Sequence, residues 1–305
     1  MHRFAWTRRL GPWPYIVFTG VVFGSGGLIS KRLLDDGMDA YSILAISAGF
    51  GAVSAMLHLR LVPKPEHLRA GALVGLLATA VPATFFNLGF ERLPAGTASL
   101  LIALGPVATA VAAHFAFADE RFNRVKGAGL VMALAGAAIL GSSDSGAGST
   151  TGVMFVVIGA VLTGSGGVVV RRSAMRFGGR QLVTTQMVVA SLAGLVLFLV
   201  LGDSGSPDGG WETVHVVLIA GQGISSYFGF SSMLKANEIA TTGQASVIGY
   251  IVPVVGVVGG VAFFSDAVTV AIVVGGLLIL AATYVIAIGS RSQVEPAEVV
   301  SATTG

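Results

Sequence analysis

The chain has 305 residues, of which 54% are hydrophobic and only 11% are charged, whereas about a quarter of the residues in a soluble domain are charged. It contains no cysteine, which excludes disulfide frameworks, thiolate metal sites and a cysteine nucleophile. The net charge is +3, but the basic residues lie in short groups between apolar runs, so the sequence does not favour a nucleic-acid partner.

Ten apolar stretches follow one another along the chain, each close to the roughly 20 residues that a membrane-spanning helix needs. We predict spans 1 to 5 at Trp13–Ser30, Ala40–Leu61, Gly71–Phe90, Ala95–Phe117 and Gly127–Gly141. We predict spans 6 to 10 at Gly152–Val170, Leu182–Leu201, Val214–Leu234, Gly243–Phe264 and Val268–Ile288. The sequence therefore predicts an all-α membrane protein with about ten transmembrane helices.

The lysines and arginines predict the orientation of these spans. With ten spans and a cytoplasmic N-terminus, 15 of the 18 basic residues fall in cytoplasmic segments, and the other three are Lys31, Arg32 and Arg92. Cytoplasmic loops of membrane proteins carry such an excess. We therefore expect a multi-pass protein of the inner (plasma) membrane with both termini in the cytoplasm. Residues 1–12 would form a cytoplasmic N-terminal segment, and residues 289–305 would form a disordered tail.

An internal repeat relates the two halves of the chain. Residues 96–119 align with residues 243–266, 147 positions later, and share Gly96/Gly243, Pro106/Pro253 and Asp119/Asp266. A second match sets residues 23–27 against residues 163–167. Five spans in each copy is an odd number, so the second copy must be inverted in the membrane, as in many carriers. We expect a first repeat at residues 13–141, a linker at 142–151 and the inverted second repeat at 152–288.

One segment reads Gly89-Phe90-Glu91-Arg92-Leu93-Pro94-Ala95-Gly96-Thr97-Ala98 and is followed by Gly105-Pro106. It resembles the best-known stretch of the EamA-type transporters of the drug/metabolite transporter superfamily. The resemblance implies a ten-helix carrier, often an exporter of amino acids, other metabolites or drugs, with a central cavity lined by helices 1, 3, 4, 6, 8 and 9. The chain departs from the family pattern at Phe23-Gly24 and Thr163-Gly164, where Trp-Gly is frequent, and at Asp119 and Asp266, where glutamate is usual.

Span 8 carries the most polar face. Gln222, Ser226 and Gly229 lie at positions i, i+4 and i+7 and therefore share one side of a helix. A polar side within lipid is expected to face inward, so we predict that it lines a substrate cavity; the alternative is hydrogen bonding that only holds helices together. The other candidates for the cavity lining are Tyr227, Asn87, Tyr250, Ser25 and Ser165.

Three prolines lie near the middle of spans 3, 4 and 9, namely Pro82, Pro106 and Pro253. Each removes a backbone hydrogen bond and kinks its helix. We predict hinge or cavity-lining roles for them, with simple packing kinks as the alternative. The candidates for proton coupling are His114, Glu91 and Glu238, which lie at span ends, where interfacial solvation or capping is the alternative.

The predicted function is secondary transport of a small metabolite or drug by alternating access, as an exporter. The partners are the small-molecule substrate and the lipid bilayer, and no cofactor or metal is expected. Three glycine pairs, Gly20/Gly24, Gly71/Gly75 and Gly256/Gly260, would serve either a homodimer seam or contacts within the bundle. The alternatives are a non-transporting regulatory or structural membrane protein and an intramembrane enzyme. The sequence has no G-x-S-x-G, H-E-x-x-H or nucleotide-binding motif.

Overall fold

The computed structural model describes residues 11–59, 65–116, 123–142, 147–177, 179–203, 205–240, 242–245 and 247–291. These residues form helices joined by short connections. The predictions for the segment before Gly11, for Asp119 and for the tail after Arg291 lie outside the described residues.

The helices follow the ten predicted spans. Spans 1 and 2 are α1 (Trp13–Asp35) and α2 (Ala40–Leu59). Span 3 consists of α3 (Pro65–Gly75), a π-helical turn (Leu76–Ala80) and α4 (Val81–Phe90), and span 4 consists of α5 (Ala95–Ile102) and α6 (Gly105–Ala116). Spans 5 to 8 are α7 (Arg124–Ser142), α8 (Ala147–Phe177), α9 (Gly179–Leu201) and α10 (Thr213–Ile239). Span 9 consists of α11 (Thr242–Ala245) and α12 (Ile248–Phe264), and span 10 is α13 (Val270–Arg291).

Within the described residues, eight spans are long and apolar enough to cross a membrane, namely spans 1 to 7 and span 10. In span 9, α12 is apolar but has 17 residues. In span 8, α10 is long, with 27 residues, but it carries the polar face described above. The predicted all-α membrane fold is confirmed.

Span 1 extends beyond its predicted end because its last turn is stabilised by charges. Two ion pairs at i, i+4 spacing support it, Lys31–Asp35 at 2.7 Å and Arg32–Asp36 at 2.9 Å. Gly37 then adopts a φ of +91°, which glycine reaches without steric cost and which ends the helix.

The two halves of the chain are interleaved. Around the bundle, the spans pack against one another in the order 1, 8, 2, 7, 3, 6, 4, 9 and back to 1, and spans 5 and 10 pack mainly on each other beside this ring. Every neighbour in the ring comes from the opposite half. Each half therefore buries its apolar faces against the other half rather than within itself.

Equivalent spans of the two halves run in opposite directions. In spans 5 and 10, Gly129 lies against Ile286 and Gly136 lies against Gly275, so the two helices are antiparallel. In spans 4 and 9, the carboxylate of Asp266, just after span 9, accepts a hydrogen bond of 2.8 Å from the backbone N–H of Gly96, at the start of span 4. The second half is therefore inverted relative to the first.

The glycine pairs lie inside the bundle. Gly20 and Gly24 face Ile251 and Val255, Gly71 and Gly75 face Thr185 and Val189, and Gly256 and Gly260 face Ser99 and Asp266. A Cβ atom on Gly24 would lie 2.6 Å from the Cβ of Val255, which is too close for any side chain. The pairs therefore serve contacts within the bundle, which is the second of the two alternatives.

Candidate functional site

Gln222 on span 8 reaches across to span 1. Its Nε2 donates hydrogen bonds to the carbonyl of Gly26 at 3.2 Å and to the hydroxyl of Ser30 at 2.7 Å. A backbone carbonyl only accepts, so the amide nitrogen must be the atom that faces Gly26. The other amide atom, Gln222 Oε1, is buried and has no hydrogen-bond partner in the described part of the chain. A buried acceptor without a partner costs roughly 1–3 kcal/mol, so a ligand that donates to it would be stabilised.

Span 8 turns this polar face away from the bilayer. Four of its exposed apolar side chains, Val214, Val217, Ile224 and Phe228, recur at spacings that place them on one stripe. Gln222 and Ser226 lie on another side of the helix, towards the interior of the ring. Ser226 is half-buried, and its hydroxyl makes no hydrogen bond to a described residue.

An aromatic pair also joins spans 1 and 8. The rings of Phe23 on span 1 and Phe230 on span 8 approach to 4.9 Å between centroids. Both are half-buried. The sequence analysis did not single out Ser30, Gly26 or this pair. The i, i+4 spacing of Gly26 and Ser30 within an apolar helix was the available signal.

Tyr227 and Asn87 connect helices away from Gln222. The hydroxyl of Tyr227 lies 2.8 Å from Nδ1 of His58 on span 2, and only 1% of this tyrosine is exposed. Asn87 on span 3 donates from Nδ2 to the carbonyl of Ala40 at 3.1 Å. Both side chains therefore make the interhelical contacts that stood as the alternative to cavity lining.

The two serines of the internal repeat lie on the outward side of the bundle. Ser165 is exposed and continues the exposed stripe formed by Met154, Ile158 and Val161. Ser25 lies one turn after the exposed Val21, and its hydroxyl bonds within its own helix. The structure does not bring either serine to Gln222.

Tyr250 on span 9 is half-buried, and its hydroxyl is buried. It stands one turn before Val254, which is 52% exposed.

Pro82 follows the π-helical turn of span 3. The N–H of Val81 bonds to the carbonyl of Leu76, five residues back, and the ring of Pro82 supplies no N–H for the next bond. Such π turns occur frequently at functional sites.

Pro106 and Pro253 are equivalent in the repeat but differ in structure. Span 4 is interrupted just before Pro106, where Ala103 and Leu104 make hydrogen bonds three residues back, and Pro106 itself is exposed. Pro253 is buried within the continuous helix α12.

The candidates for proton coupling lie at the ends of the spans. Glu91 pairs with Arg92 and Glu238 pairs with Lys235, each at 2.8 Å, and the two carboxylates are 47% and 61% exposed. Exposed pairs of this kind contribute little to stability. His114 lies in the last turn of α6 with its ring 4.9 Å from that of Phe115.

The two ends of the bundle differ in packing. We call the end where span 1 passes into span 2 the Asp36 end, and the opposite one, where span 2 ends, the His58 end. At the Asp36 end, Phe90 of span 3 is 2% exposed, and a Cβ on Gly27 of span 1 would lie 2.5 Å from its ring. Gly167 is the position in the second half that is equivalent to Gly27. A Cβ atom on Gly167 would lie 3.8 Å from the nearest described atom. Spans 1 and 3 are therefore in close contact at the Asp36 end, whereas the described atoms around Gly167 leave more room.

A buried histidine lies at the Asp36 end, and the sequence analysis missed it. His215 is 5% exposed; its Nδ1 accepts the backbone N–H of Glu212 at 3.0 Å, and its Nε2 lies 3.3 Å from Asp36. Because Nδ1 accepts, Nε2 carries the proton and faces the carboxylate. The Glu-x-x-His spacing at the start of span 8 was the sequence signal for this capping box.

The described residues also line two cavities. One of about 410 Å³ lies at the Asp36 end, with Asp39, Glu91, Arg92 and Asp203 among its lining residues. The other, of about 440 Å³, is lined by Phe18 and Phe228 and lies on the outward side between spans 1 and 8. Neither has Gln222 among its lining residues.

Comparison with known proteins gives a family match over most of the chain. A family model described as "EamA-like transporter family" matches residues 13–142 and 150–288. A solved structure titled "Crystal structure of protein" superimposes with a TM-score of 0.63, covering 90% of this chain and 97% of the other, at 17% identity. That similarity shows the fold alone.

Two curated relatives are similar in sequence. A "Probable terminal-alkyne amino-acid exporter" of Streptantibioticus cattleyicolor is 34% identical over 142 residues, which is 47% of this chain and 44% of the exporter. The match therefore spans less than half of that relative's length. An "Uncharacterized transporter" of Archaeoglobus fulgidus is 24% identical over 214 residues, which is 70% of this chain and 75% of that protein.

Proposed function

Because the chain belongs to the EamA-like transporter family, and is therefore a multi-pass membrane transporter rather than an enzyme, we propose that it exports a small metabolite by alternating access. The observation that carries this proposal is the buried, unpaired Oε1 of Gln222, on the inward side of span 8 where the two halves meet. Inverted-repeat carriers place their substrate site at such an interface near the membrane midplane.

The substrate class we favour is an amino acid or a related compound, with drugs as the wider alternative. Gln222 and Ser226 offer amide and hydroxyl groups, and Phe23 and Phe230 on the same two spans offer apolar surface. The named exporter of Streptantibioticus cattleyicolor supports the same class.

The basic residues support an orientation for the proposed transporter. We place both termini in the cytoplasm and the protein in the inner membrane, because the described basic residues at the Asp36 end are few and those at the His58 end are many. The Asp36 end then faces outward. In this orientation the contact between Phe90 and Gly27 lies at the outer end of the bundle.

The homodimer and the proton coupling predicted from the sequence have different outcomes. We carry no homodimer into the proposal, because the glycine pairs that suggested one lie within the bundle. Proton coupling through His114, Glu91 or Glu238 stays a prediction, because all three lie at span ends and the two glutamates are in exposed ion pairs.

The test is efflux from preloaded proteoliposomes. Labelled amino acids and small cationic drugs are released with and without an imposed pH gradient, and protein-free liposomes are the control. Saturable, protein-dependent efflux supports the carrier, and dependence on the gradient would direct attention to the three coupling candidates. Absence of flux across the whole panel would contradict the proposal and favour a regulatory membrane protein.

A further inference from the structure

The groups around Gln222 also indicate which substrates the site would bind. Resting on the proposed function, we propose that this site selects substrates that have no net charge and that offer one hydrogen-bond donor and one acceptor. The Gln222–Ser226 pair would read these two groups.

The pair presents one acceptor and one donor. Gln222 Oε1 can only accept, and it is buried without a partner. The hydroxyl of Ser226 can donate and is not used by any described residue. The two residues stand four apart on one helix face, a rise of about 6 Å. This arrangement suits an ammonium, hydroxyl or amide N–H separated by a few ångströms from a carboxylate or carbonyl oxygen.

Span 1 fixes which amide atom is presented. Gly26 and Ser30 both bind the Nε2 of Gln222, so a flipped amide would place its oxygen against the Gly26 carbonyl and be repelled. Ser30 is therefore a positioning residue, because it acts on the substrate through Gln222.

The equivalent hydroxyl in the first half is occupied. Thr79 stands 147 positions before Ser226, and its Oγ1 accepts a hydrogen bond of 2.6 Å from Nε2 of Gln186. One copy of the repeat thus uses this hydroxyl to join helices, whereas the other copy leaves it available.

The neighbouring charges are compensated. On span 1 the nearest ionic groups, Lys31 and Arg32, pair with Asp35 and Asp36. Every other Asp, Glu, Lys and Arg whose side chain the structure describes lies near the end of its span. A substrate with a net charge would lose its hydration without meeting a counter-charge, and that cost is large in a low-dielectric interior.

The test uses two sets of three probes, and the probes within each set share one side chain. L-leucine and L-phenylalanine are assayed as labelled zwitterions in proteoliposomes, and each competes with its methyl ester, a net cation, and its N-acetyl derivative, a net anion without the ammonium group. We expect both derivatives to inhibit at concentrations at least about tenfold higher than the parent amino acid. Equal inhibition by the derivatives would overturn the charge selection but leave the carrier intact. No protein-dependent flux of either amino acid would overturn the proposed function and this inference together.

Two serines on span 8 supply a matched pair of variants. Ser226→Ala removes the available donor without breaking a described contact, and we expect the half-saturation concentration to rise about five- to tenfold. Ser225→Ala is the control, because the hydroxyl of Ser225 bonds to the carbonyl of Gln222 in its own helix; we expect less than about a twofold change. Equal behaviour of the two variants would overturn the role of Ser226. Gln222→Glu adds a negative charge and should shift the preference towards the methyl ester.

Discussion

At the scale of single residues, Gln222 shows how one polar side chain acquires its environment. Helical spacing alone indicates that Gln222 and Ser226 share a face. The partner of Gln222 comes from span 1, and this partner, Gly26, lies 196 residues away along the chain. One nitrogen is held and one oxygen is left unpaired, and this asymmetry makes the side chain a candidate for substrate recognition rather than a simple link between helices.

Two glycines of span 8 allow a direct test of the packing. A Cβ on Gly223 would meet the backbone carbonyl of Ser47 and approach the Cβ of Phe50 to 2.8 Å, whereas a Cβ on Gly221 would meet no described atom within 4 Å. We expect Gly223→Val to lower the free energy of unfolding by about 1–3 kcal/mol through overpacking. Gly221→Val should change it by less than about 0.5 kcal/mol.

The measurement is thermal unfolding of the purified variants in detergent, followed by tryptophan fluorescence. Gly221→Val serves as the control for adding valine to the same helix. Equal stability of the two variants would contradict the close contact between spans 8 and 2.

The predicted site residues differ in what surrounds them. The inward positions of Gln222 and Ser226 follow the helical period, which is a local property. Ser25 and Ser165 share a repeated motif, but the motif also repeats close glycine contacts, and the serines within it fall on the outward side. Tyr227 is polar and central in span 8, yet its partner His58 lies on another helix. Periodicity shows which residues share a face, and only the neighbouring helices decide what that face meets.

At the scale of elements, the repeat keeps the prolines but not their local geometry. Span 4 is broken before Pro106, whereas α12 continues through Pro253. The sequence predicted a kink at both positions because each proline removes a hydrogen bond. It could not predict that only one of them interrupts the helix, because that depends on the packing of each copy.

This difference predicts unequal effects of substitution. In Pro106→Ala the restored N–H would allow the helix to continue through the break, so bending there becomes costlier. We expect the efflux rate to fall roughly fivefold, which corresponds to about 1 kcal/mol on the barrier. Pro253→Ala leaves an already continuous helix and should change the rate less than about twofold.

Initial rates of labelled amino-acid efflux from proteoliposomes, normalised to the amount of inserted protein, provide the comparison. A larger effect of Pro253→Ala than of Pro106→Ala would contradict a hinge in span 4. Unchanged rates in both variants would favour packing kinks.

At the scale of the whole molecule, the interleaving of the halves connects the fold with transport. Each span of the ring contacts spans of the other half on both sides, so a movement of one half relative to the other changes every interface of the ring. The ten-span architecture and the inversion were predictable, because hydropathy and the odd number of spans per repeat determine them. The alternating order of the spans was not, because it depends on pairing between distant parts of the chain.

Such a movement would exchange the packing at the two ends of the bundle. At present Phe90 packs against Gly27 at the Asp36 end, while Gly167 at the His58 end has no described atom within the same distance. In an inverted repeat the other state follows when the two halves exchange their arrangements. Opening at the Asp36 end therefore requires Phe90 and Gly27 to separate.

The most direct test is to prevent that separation. The chain contains no cysteine, so Gly27→Cys and Phe90→Cys introduce the only thiols, which Hg²⁺ or a short bifunctional thiosulfonate can bridge. Cross-linking of the double variant in proteoliposomes should abolish efflux, a reducing thiol should restore it, and the single variants should be unaffected by the reagent. Full efflux from protein shown to be cross-linked would contradict alternating access through the Asp36 end.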